Sequence, residues 1–482
     1  MEKLENSSTN WTFCESCKGL GKKNRKLSKK ALLRYQLACD EFEKTKSKGK
    51  APIKPKAEQN SCANCSGTGL VPSENPTQVN ENFPHVAIIG AGIGGVALAV
   101  ACLHRGIPFT LYERDNSFSD RSQGYGLTLQ QASKAMKGLG ITSLNQGVVS
   151  TKHVVHNPDG KVVGEWGMRK WLPSDSKSSK KNTNIHISRQ ALRLALLEQL
   201  TENTVKWGHQ LIDFKESENN GIDIRFQVND EIKHAKTDLL VGADGIRSSV
   251  RRLLIGEEIT PLRYLNCIVI LGICPLNAIE SMDSPLLDSA TVFQTANGNE
   301  RIYMMPYDSN SIMWQLSFPM LENEAKELSA KGPKFLKEEA CKRTQWHAPI
   351  PQILAATLEA QISGYPVYDR ELLSLDLLSR GKNITLIGDA AHPMSPFKGQ
   401  GANQALLDAL TLAREITKGC HSKSNWREIG NRKSVLTYFE SEMLERSATK
   451  VKDSAEAAKF LHSEIALHEG NEPRGSVVKR KG

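Results

Sequence analysis

Short apolar runs separated by longer helical patterns dominate the chain after residue 84. Residues 85–89 form an apolar run that ends in glycines, which is typical of a buried parallel strand. Residues 93–105 are rich in Ala, Val and Leu and predict a helix, and residues 109–112 predict a second buried strand, which completes a β-α-β unit. Similar runs at 239–241 and 384–387 predict further buried strands. This part of the chain therefore predicts an α/β fold.

A different pattern fills the segments between these strands. Residues 261–274, 290–305 and 311–318 are richer in Ile, Val, Tyr and Thr, with turns between them. This composition favours a mainly antiparallel sheet, inserted between parts of the α/β domain. Residues 190–200, and the chain from 403 to about 467, predict helices.

The first 70 residues differ from everything that follows. Two Cys-x-x-Cys pairs flank a Lys-rich segment, in which Leu33, Leu37 and Phe42 share one helical face. We therefore expect a helix here, with Cys39 in its core, followed by a flexible basic loop at 46–56.

These patterns predict a small N-terminal module, a linker, a discontinuous α/β domain with an inserted sheet domain, and C-terminal helices. The predicted segments are 1–70 for the module, 71–83 for the linker, 84–148, 185–256 and 365–420 for the α/β domain, 149–184 and 257–364 for the inserted domain, 421–470 for the C-terminal helices and 471–482 for a tail.

Composition and charge narrow the class of protein. Apolar residues make up 39% of the 482 residues and charged residues 24%, which argues against wholesale disorder. The net charge is +10, and residues 1–82 carry 15 Lys and Arg against 9 Asp and Glu, so the basic character is largely local. We expect a solvated basic face rather than a nucleic-acid site. The N-terminus lacks a signal-peptide pattern and no apolar run could span a membrane, so we expect a soluble, intracellular, most simply cytoplasmic protein.

The first glycine-rich motif lies between the first predicted strand and helix. Gly90, Gly92 and Gly95 form G-x-G-x-x-G, which permits a tight turn, close approach of a pyrophosphate, and close packing of helix on strand. Glu113 ends the second strand, where it can accept hydrogen bonds from both hydroxyls of an adenosine ribose. The motif predicts FAD or NAD, and the alternative is a purely structural turn.

Two later segments carry further chemistry. The first, DLLVGADGIRSSVR at 238–251, contains Asp244 and Gly245; the second, LIGDAAHPMSPFKGQGAN at 386–403, contains Asp389 and a glycine-rich turn. Either aspartate could instead be a helix N-cap. Together with the first motif, these segments resemble the three fingerprints of the class A FAD-dependent monooxygenases, the aromatic-ring hydroxylase family that includes the para-hydroxybenzoate, urate and tetracycline monooxygenases. The resemblance covers about residues 84–415.

Other landmarks of the family occur in order along the chain. They are GYGL at 124–127, ISRQAL at 187–192, WHAP at 346–349 and YDREL at 368–372. At position 190 this chain has Gln where many relatives carry Asp. The resemblance implies a Rossmann-like FAD domain of the glutathione-reductase type, with the inserted antiparallel sheet as substrate domain. It assigns cofactor contacts to Gly90, Gly92, Gly95, Glu113, Arg114, Gly126, Arg189, Asp244, Gly245, Arg247, Asp389, Pro396, Gly399, Gly401, Ala402 and Asn403.

The resemblance also implies details of individual side chains. Arg247 and Arg251 are plausible pyrophosphate contacts, Asn403 could hydrogen-bond the flavin, and a helix starting near Ala402 would point its positive end at the flavin ring. For His392 and Arg370 we favour structural roles over roles in the site. No residue is assigned as catalytic.

The activity that the resemblance implies is a monooxygenation. NADH or NADPH reduces FAD, molecular oxygen forms a C4a-hydroperoxyflavin, and one oxygen atom hydroxylates or epoxidises a small, aromatic or polycyclic substrate. No second G-x-G-x-x-G is present for a stable nicotinamide site. The substrate candidates are Phe293, Tyr303, Met305, Trp314 and Gln315. Alternation suggests that they share one face of the inserted sheet, and the alternative is that at least half of them are plain core residues. The alternatives are another flavoenzyme, such as a reductase or a halogenase, although the halogenase signature W-x-W-x-I-P is absent, or an interaction protein with a vestigial flavin domain.

The N-terminal cysteines form two copies of C-x-x-C-x-G-x-G. Cys14, Cys17, Cys62 and Cys65 supply four thiolates, which is the ligand set of a closed, structural Zn²⁺ site. The repeat resembles the cysteine-rich domain of J-domain co-chaperones, which carries four copies and two zinc ions. Two copies suffice for one zinc ion, and the module could bind a protein partner. Redox-active or merely buried thiols are the alternative.

Overall fold

The computed structural model describes most of the chain. The described residues are 10–24, 27–44, 52, 55, 59–120, 124–130, 132–167, 184–217, 221–279, 284–421 and 424–473. Most of the predicted basic loop at 46–56, residues 168–183 of the predicted inserted domain and residues 474–482 of the predicted tail lie outside the described residues.

Strands and helices alternate through the described part of the chain. The strands are β1 (Asn10–Phe13), β2 (Lys22–Asn24), β3 (Gln59–Ser61), β4 (Leu70–Ser73), β5 (Val86–Ile89), β6 (Phe109–Tyr112), β7 (Gly126–Leu129), β8 (Val148–Ser150), β9 (Lys152–His156), β10 (Val162–Trp166), β11 (Asn184–Ser188), β12 (Val205–Lys206), β13 (Gln210–Glu216), β14 (Ile222–Val228), β15 (Glu231–Thr237), β16 (Leu239–Gly242), β17 (Leu262–Pro275), β18 (Thr291–Ala296), β19 (Arg301–Pro306), β20 (Ser311–Pro319), β21 (Ile362–Arg370) and β22 (Ile384–Leu386). The α-helices are α1 (Lys29–Lys44), α2 (Ile93–Leu103), α3 (Ser133–Gly138), α4 (Arg189–Leu197), α5 (Ser249–Ile255), α6 (Glu322–Ala330), α7 (Pro333–Arg343), α8 (Ile350–Ala356), α9 (Leu375–Leu378), α10 (Gly401–Gly419), α11 (Trp426–Asn431) and α12 (Thr437–Phe460).

A five-stranded parallel sheet forms the centre of the α/β domain. Its strand order is β12-β6-β5-β16-β22. The four strands that the apolar runs predict are β5, β6, β16 and β22, and all four lie in this sheet. Every residue of β5 and β16 is buried, as expected for strands covered on both faces. The two-residue edge strand β12 was not predicted, because it is too short to produce a hydrophobic pattern. The α/β prediction is confirmed.

The inserted domain is built on a seven-stranded sheet. Its order is β10-β9-β18-β19-β20-β17-β21, and all neighbouring pairs are antiparallel except β18 with β9. The mainly antiparallel sheet is therefore confirmed. The predicted boundary at 365 falls inside β21, which pairs with the 14-residue strand β17. Pairing continues as far as Arg370, which lies opposite Leu262, and the Asp369 carboxylate pairs with Arg263 of β17 at 2.8 Å.

The two faces of this sheet have different surroundings. Cross-strand pairing places Tyr303 opposite Gln315, with Met305 on the same face. Met304 is paired with both Phe293 and Trp314 on the other face, where all three are buried in the core. One shared face is therefore wrong for Phe293 and Trp314, and for these two candidates the alternative of a core residue agrees with the structure, although Phe293 also borders the cavity described below. The indole of Trp314 donates to Thr357 Oγ1 at 2.9 Å.

The N-terminal module consists of two small antiparallel ladders, β1 with β4 and β2 with β3. Strand β4 extends to Ser73, so the predicted boundary at 70 falls inside a strand of the module. Helix α1 has the predicted place but no buried residue, and Leu33 and Leu37 are 56% and 58% exposed. Cys39 is only partly buried, so the expectation that it is a core residue is wrong.

The described C-terminal part is mostly helical, as predicted, and α10 begins two residues earlier than expected, at Gly401. None of the helices in the described ranges combines the length and the apolar character that crossing a bilayer requires.

The assignment of faces can be tested by unfolding in urea. Trp314→Ala removes a side chain that is 0% exposed and should lower the free energy of unfolding by about 3–5 kcal/mol. Tyr303→Phe removes one hydroxyl from the cavity face and should cost about 1 kcal/mol. Equal losses for the two variants would show that the faces are assigned incorrectly.

Candidate active site

The first glycine motif forms a turn that other residues could not adopt. Gly90 has a φ of +104°, and a Cβ atom there would lie 2.7 Å from the carbonyl oxygen of Ala243. A Cβ atom at Gly95 would lie 1.9 Å from the carbonyl oxygen of Gly90, so α2 can pack on β5 only with glycine at this position. At Gly92, which caps α2, the nearest atom would be 4.0 Å away. The turn therefore leaves the amino end of α2 open.

A small cavity of about 130 Å³ lies against this turn. Glu113 borders it, and its carboxylate accepts hydrogen bonds from the N–H groups of Ala91, at 2.7 Å, and Asp115, at 3.1 Å. Each oxygen thus keeps acceptor capacity for a hydroxyl group. Arg193 of α4, which also borders this cavity, donates to the carbonyl of Ala91 at 2.7 Å and so holds the turn in place. Sequence reasoning missed Arg193, because a single arginine in a helix gives no signal.

The second motif holds Asp244 at the start of α5. Its carboxylate accepts from the hydroxyl of Ser248 and from the N–H groups of Ser249 and Val250, so the contacts of a helix cap are present. Burial raises the pKa of Asp244. The expectation that Arg251 contacts a pyrophosphate is wrong: its guanidinium is buried and donates to the carbonyls of Ala390 and Ala391 at 3.1 Å.

The third motif follows β22 and borders a second cavity of about 860 Å³. Asp389 opens onto this cavity, where burial raises the pKa of its carboxyl group although His392 and Arg189 act in the opposite direction. Residues 396–398 form a turn, Gly399 takes a φ of +59°, and α10 begins at Gly401. The amino end of α10, with its unpaired N–H groups, therefore meets the cavity.

The side chain of Asn403 does not line this cavity, and the expected contact between this residue and a flavin stays a prediction. Its amide nitrogen donates to the carbonyls of Thr128 and Gly399 at 2.8 Å, and its oxygen accepts from the N–H groups of Gln130, at 2.9 Å, and Ala132, at 3.2 Å. The side chain is 1% exposed, and its hydrogen bonds connect α10 with the backbone of β7.

Two polar side chains that the sequence singles out, His392 and Arg370, have structural positions. His392 bonds Asp408 at 2.7 Å, and Arg446 pairs with the other oxygen of Asp408 at 2.7 Å, all beneath the third motif. Although burial opposes it, His392 and Arg446 hold the pKa of Asp408 below its usual value. Arg370 is buried, pairs with Glu257 at 2.8 Å and does not line either cavity.

Pairing of β7 with β11 brings two separate landmarks together. Gly126 lies opposite Ser188, and the N–H group of Arg189 donates to the carbonyl of Tyr125 at 3.1 Å. A Cβ atom at Gly126 would lie 2.6 Å from Met305 Cε, so the backbone approaches the inserted sheet closely here. Of the predicted cofactor residues, all but Gly95 and Asn403 border one of the two cavities, and Arg247 borders both.

The inserted sheet covers the larger cavity with both apolar and polar side chains. Arg301 is 5% exposed, donates to Gln294 Oε1 at 2.8 Å and lies 4.9 Å from the ring of Tyr303. Burial lowers the pKa of Arg301 to about 10. His186 also lines the cavity, and burial lowers its pKa to about 3. Sequence reasoning missed both residues, although the alternation of Arg301 with Tyr303 was a usable signal.

The four N-terminal cysteines form a separate cluster. Their sulfur atoms all lie within 4.8 Å of one another, and those of Cys17 and Cys65 are 3.7 Å apart. The N–H groups of Gly21 and Gly69 each donate to one sulfur at 3.2 Å, so the two knuckles are built alike. The other ligand candidates, Cys14 and Cys62, are buried beside them.

Comparison with known proteins identifies the family of the main domain. A family model described as the FAD binding domain matches residues 84–424. The chain belongs to this family. Together with its relatives, the match makes this protein an FAD-dependent monooxygenase of the aromatic-hydroxylase type.

Individual relatives of the monooxygenase are distant. Aurachin C monooxygenase/isomerase of Stigmatella aurantiaca is 29% identical over 333 residues, which are 68% of this chain and 79% of that protein. The 6-hydroxynicotinate 3-monooxygenase of Pseudomonas fluorescens is 26% identical, over 70% of this chain and 84% of that protein. The crystal structure of Klebsiella pneumoniae HpxO with FAD and uric acid has the same fold, with a TM-score of 0.65 at 19% identity, over 80% of this chain and 90% of that one.

The residues of this monooxygenase fit FAD. The turn requires glycine at Gly90, and the space beside Gly92 stays open at the amino end of a helix, where anions bind. The acceptor capacity of Glu113 suits a ribose, and the larger cavity has room for a ring system.

Two glycine variants separate cofactor binding from packing. Gly92→Ala meets no atom closer than 4.0 Å, so the FAD-free protein should melt within about 2 °C of the wild type. The added methyl group should nevertheless weaken FAD binding at least tenfold, because it blocks the approach of a phosphate. Gly95→Ala should lower the melting temperature of the FAD-free protein itself. Normal FAD affinity of Gly92→Ala, measured by flavin fluorescence, would place the pyrophosphate elsewhere.

Proposed function

We propose that this monooxygenase uses NADH or NADPH and molecular oxygen to hydroxylate or epoxidise a small aromatic or polycyclic substrate. The observation that carries the proposal is the larger cavity, which the third motif borders on one side and the cavity face of the inserted sheet on the other. A cofactor ring on the motif would therefore face a substrate on the sheet. The relative that oxygenates 6-hydroxynicotinate supports an aromatic ring as substrate.

We assign the two cavities to the two halves of FAD. In the small cavity, the amino end of α2 would hold the pyrophosphate and Glu113 the ribose. In the larger cavity, the amino end of α10 would stabilise the negative charge that reduction places on the ring. The proposed contacts are Gly90, Gly92, Glu113, Arg114, Gly126, Arg189, Asp244, Gly245, Arg247, Asp389, Pro396, Gly399, Gly401 and Ala402, whereas Gly95 supports the turn by packing.

Reduced by NADH or NADPH, bound FAD supplies the activation of oxygen. The chain's own residues hold the substrate and exclude water. Met305 and Met313 form an apolar wall, which limits access of water to the reacting atoms. Gln315 is 8% exposed, and its amide has no hydrogen-bond partner among the described residues, so it is available to orient a polar substituent of the substrate.

The activity can be tested with the purified protein. We expect a yellow protein whose oxidation of NADH or NADPH is accelerated by one member of a panel of aromatic acids, phenols and quinolones, with an oxygenated product in mass spectrometry. Gln315→Leu should lower kcat/KM for that substrate at least tenfold without loss of FAD, because a buried polar group of the substrate loses its partner.

The matched control is Gln345→Leu, which makes the same change at an exposed position and should leave kcat/KM unaltered. A colourless protein that takes up no FAD would refute the proposed function, and equal kinetics of both variants would remove Gln315 from the substrate site.

We further propose that Cys14, Cys17, Cys62 and Cys65 bind one structural Zn²⁺ ion. A tetrahedral site with Zn–S bonds of about 2.3 Å separates its sulfur atoms by about 3.8 Å. The distance of 3.7 Å between Cys17 and Cys65 agrees with this value. Since four cysteines close the coordination sphere, the ion would stabilise the module rather than take part in oxygenation. A protein partner of the module and the cytoplasmic location stay predictions.

Metal analysis tests the zinc site. The wild type should contain one zinc ion per chain by plasma emission spectrometry, and the double variant Cys14→Ser, Cys62→Ser should contain less than about a tenth of that, because two thiolates cannot hold the ion. Cys39→Ser, which changes a cysteine outside the cluster, should keep its zinc. Unchanged metal content in the double variant would remove the assignment.

A further inference from the structure

The cysteine knuckles pack against the ends of two helices of the flavin domain. Arg105 lies just after α2, and Arg414 lies in the last two turns of α10. A Cβ atom at Gly19 would lie 3.8 Å from Arg105 Nε, and one at Gly21 would lie 2.8 Å from Arg414 Nη2. Arg414 also donates to the carbonyl of Thr68 at 2.8 Å. Both arginines therefore face the knuckles that carry the sulfur atoms.

Arg105 is buried and Arg414 is partly buried, with its Nε atom inaccessible to solvent, and neither has an acidic partner among the described residues. Arg105 is 1% exposed, and within the described residues its guanidinium group donates one hydrogen bond, from Nη1 to the carbonyl of Ala101 at 3.0 Å. Within the described residues, Arg105 Nε and Nη2 and Arg414 Nε have no hydrogen-bond partner, and neither side chain forms an ion pair with a carboxylate. An uncompensated buried charge destabilises a fold strongly. Two such charges side by side require an anion nearby.

The module can supply that anion only when it holds a metal ion in its four-cysteine form. Four thiolates around one divalent ion carry two net negative charges. The carboxyl-terminal ends of α2 and α10 carry partial negative charge, so on their own they would repel such a centre. Two guanidinium groups at these helix ends make the interaction between the helix ends and the dianionic centre attractive instead of repulsive.

We propose that Arg105 and Arg414 form a cationic socket for a dianionic metal–tetrathiolate centre, so that metal loading fastens the N-terminal module to the flavin domain. The inference rests on the zinc site proposed above. Metal binding and docking of the module are then one coupled event. Loss of the ion leaves two like charges buried against each other and loosens the module.

The full-length FAD-loaded protein allows a direct test. Zinc affinity is measured by competition with a chromophoric chelator, and melting temperature is measured for the zinc-loaded and the metal-free forms. The variants are Arg105→Met and Arg414→Met, which remove the charge, and Arg105→Lys and Arg414→Lys, which keep it. Arg427→Met, which removes an exposed arginine, is the control. If Arg105→Met does not fold, Arg414→Gln is used in its place. Position 414 is less buried than position 105, so the loss of a side chain there disturbs the fold less.

The sign of the effect distinguishes charge from packing. Each Met variant should bind zinc at least tenfold more weakly, while its metal-free form melts no lower than the metal-free wild type, because the uncompensated charge is gone. The Lys variants should recover most of the affinity. Unchanged zinc affinity in the Met variants, or an equal loss of melting temperature in both forms, would overturn the socket and leave the zinc site standing. A wild-type protein without any bound metal would overturn both.

Discussion

Two helices that begin at the same edge of one parallel sheet determine the site of this monooxygenase. Helix α2 follows β5 and helix α10 follows β22, and the carboxyl ends of these strands lie along a common edge. Because Gly95 lacks a side chain, α2 can lie against the turn at Gly90, and α10 in turn packs against α2. Both cavities therefore meet the positive end of a helix. If the packing at Gly95 failed, the amino ends of both helices would lose their fixed positions beside the two cavities.

Buried polar side chains hold the third motif and α10 in their positions. The carboxylate of Asp408 receives the N–H group of Gly388, the ring of His392 and the guanidinium of Arg446, which connects the third motif with α10 and α12. Arg251 bonds the carbonyls that follow Asp389, and Asn403 bonds the backbone of β7. Asp408, Arg251 and Asn403 lie within or beside a family motif, and each binds protein backbone. Their position in the motifs therefore reflects the need to keep a glycine-rich turn in one conformation.

The sequence predicts the fold class and the glycine-rich turns well, because both depend on local patterns. Glycines at fixed spacing, a short apolar strand and an acid at the end of the next strand are visible without any knowledge of distant contacts. It predicts the contacts of single side chains less well, because these depend on long-range packing. The side chains of Asn403 and Arg251 have donors that could bind a cofactor. In the fold these donors bind backbone carbonyls of other segments instead. Arg301 and Arg193 were missed for the converse reason, since only the folded sheet and helix give them their neighbours.

The inserted sheet divides its two tasks between alternate residues. Along β19 and β20, Tyr303, Met305 and Gln315 line the cavity, while Met304 and Trp314, their immediate neighbours in sequence, form the core beneath. Under the proposed function, stability and substrate contact thus depend on the same strands but on alternate residues. Residues of the cavity face could then be exchanged without repacking the interior, so that one scaffold could be adapted to a different substrate.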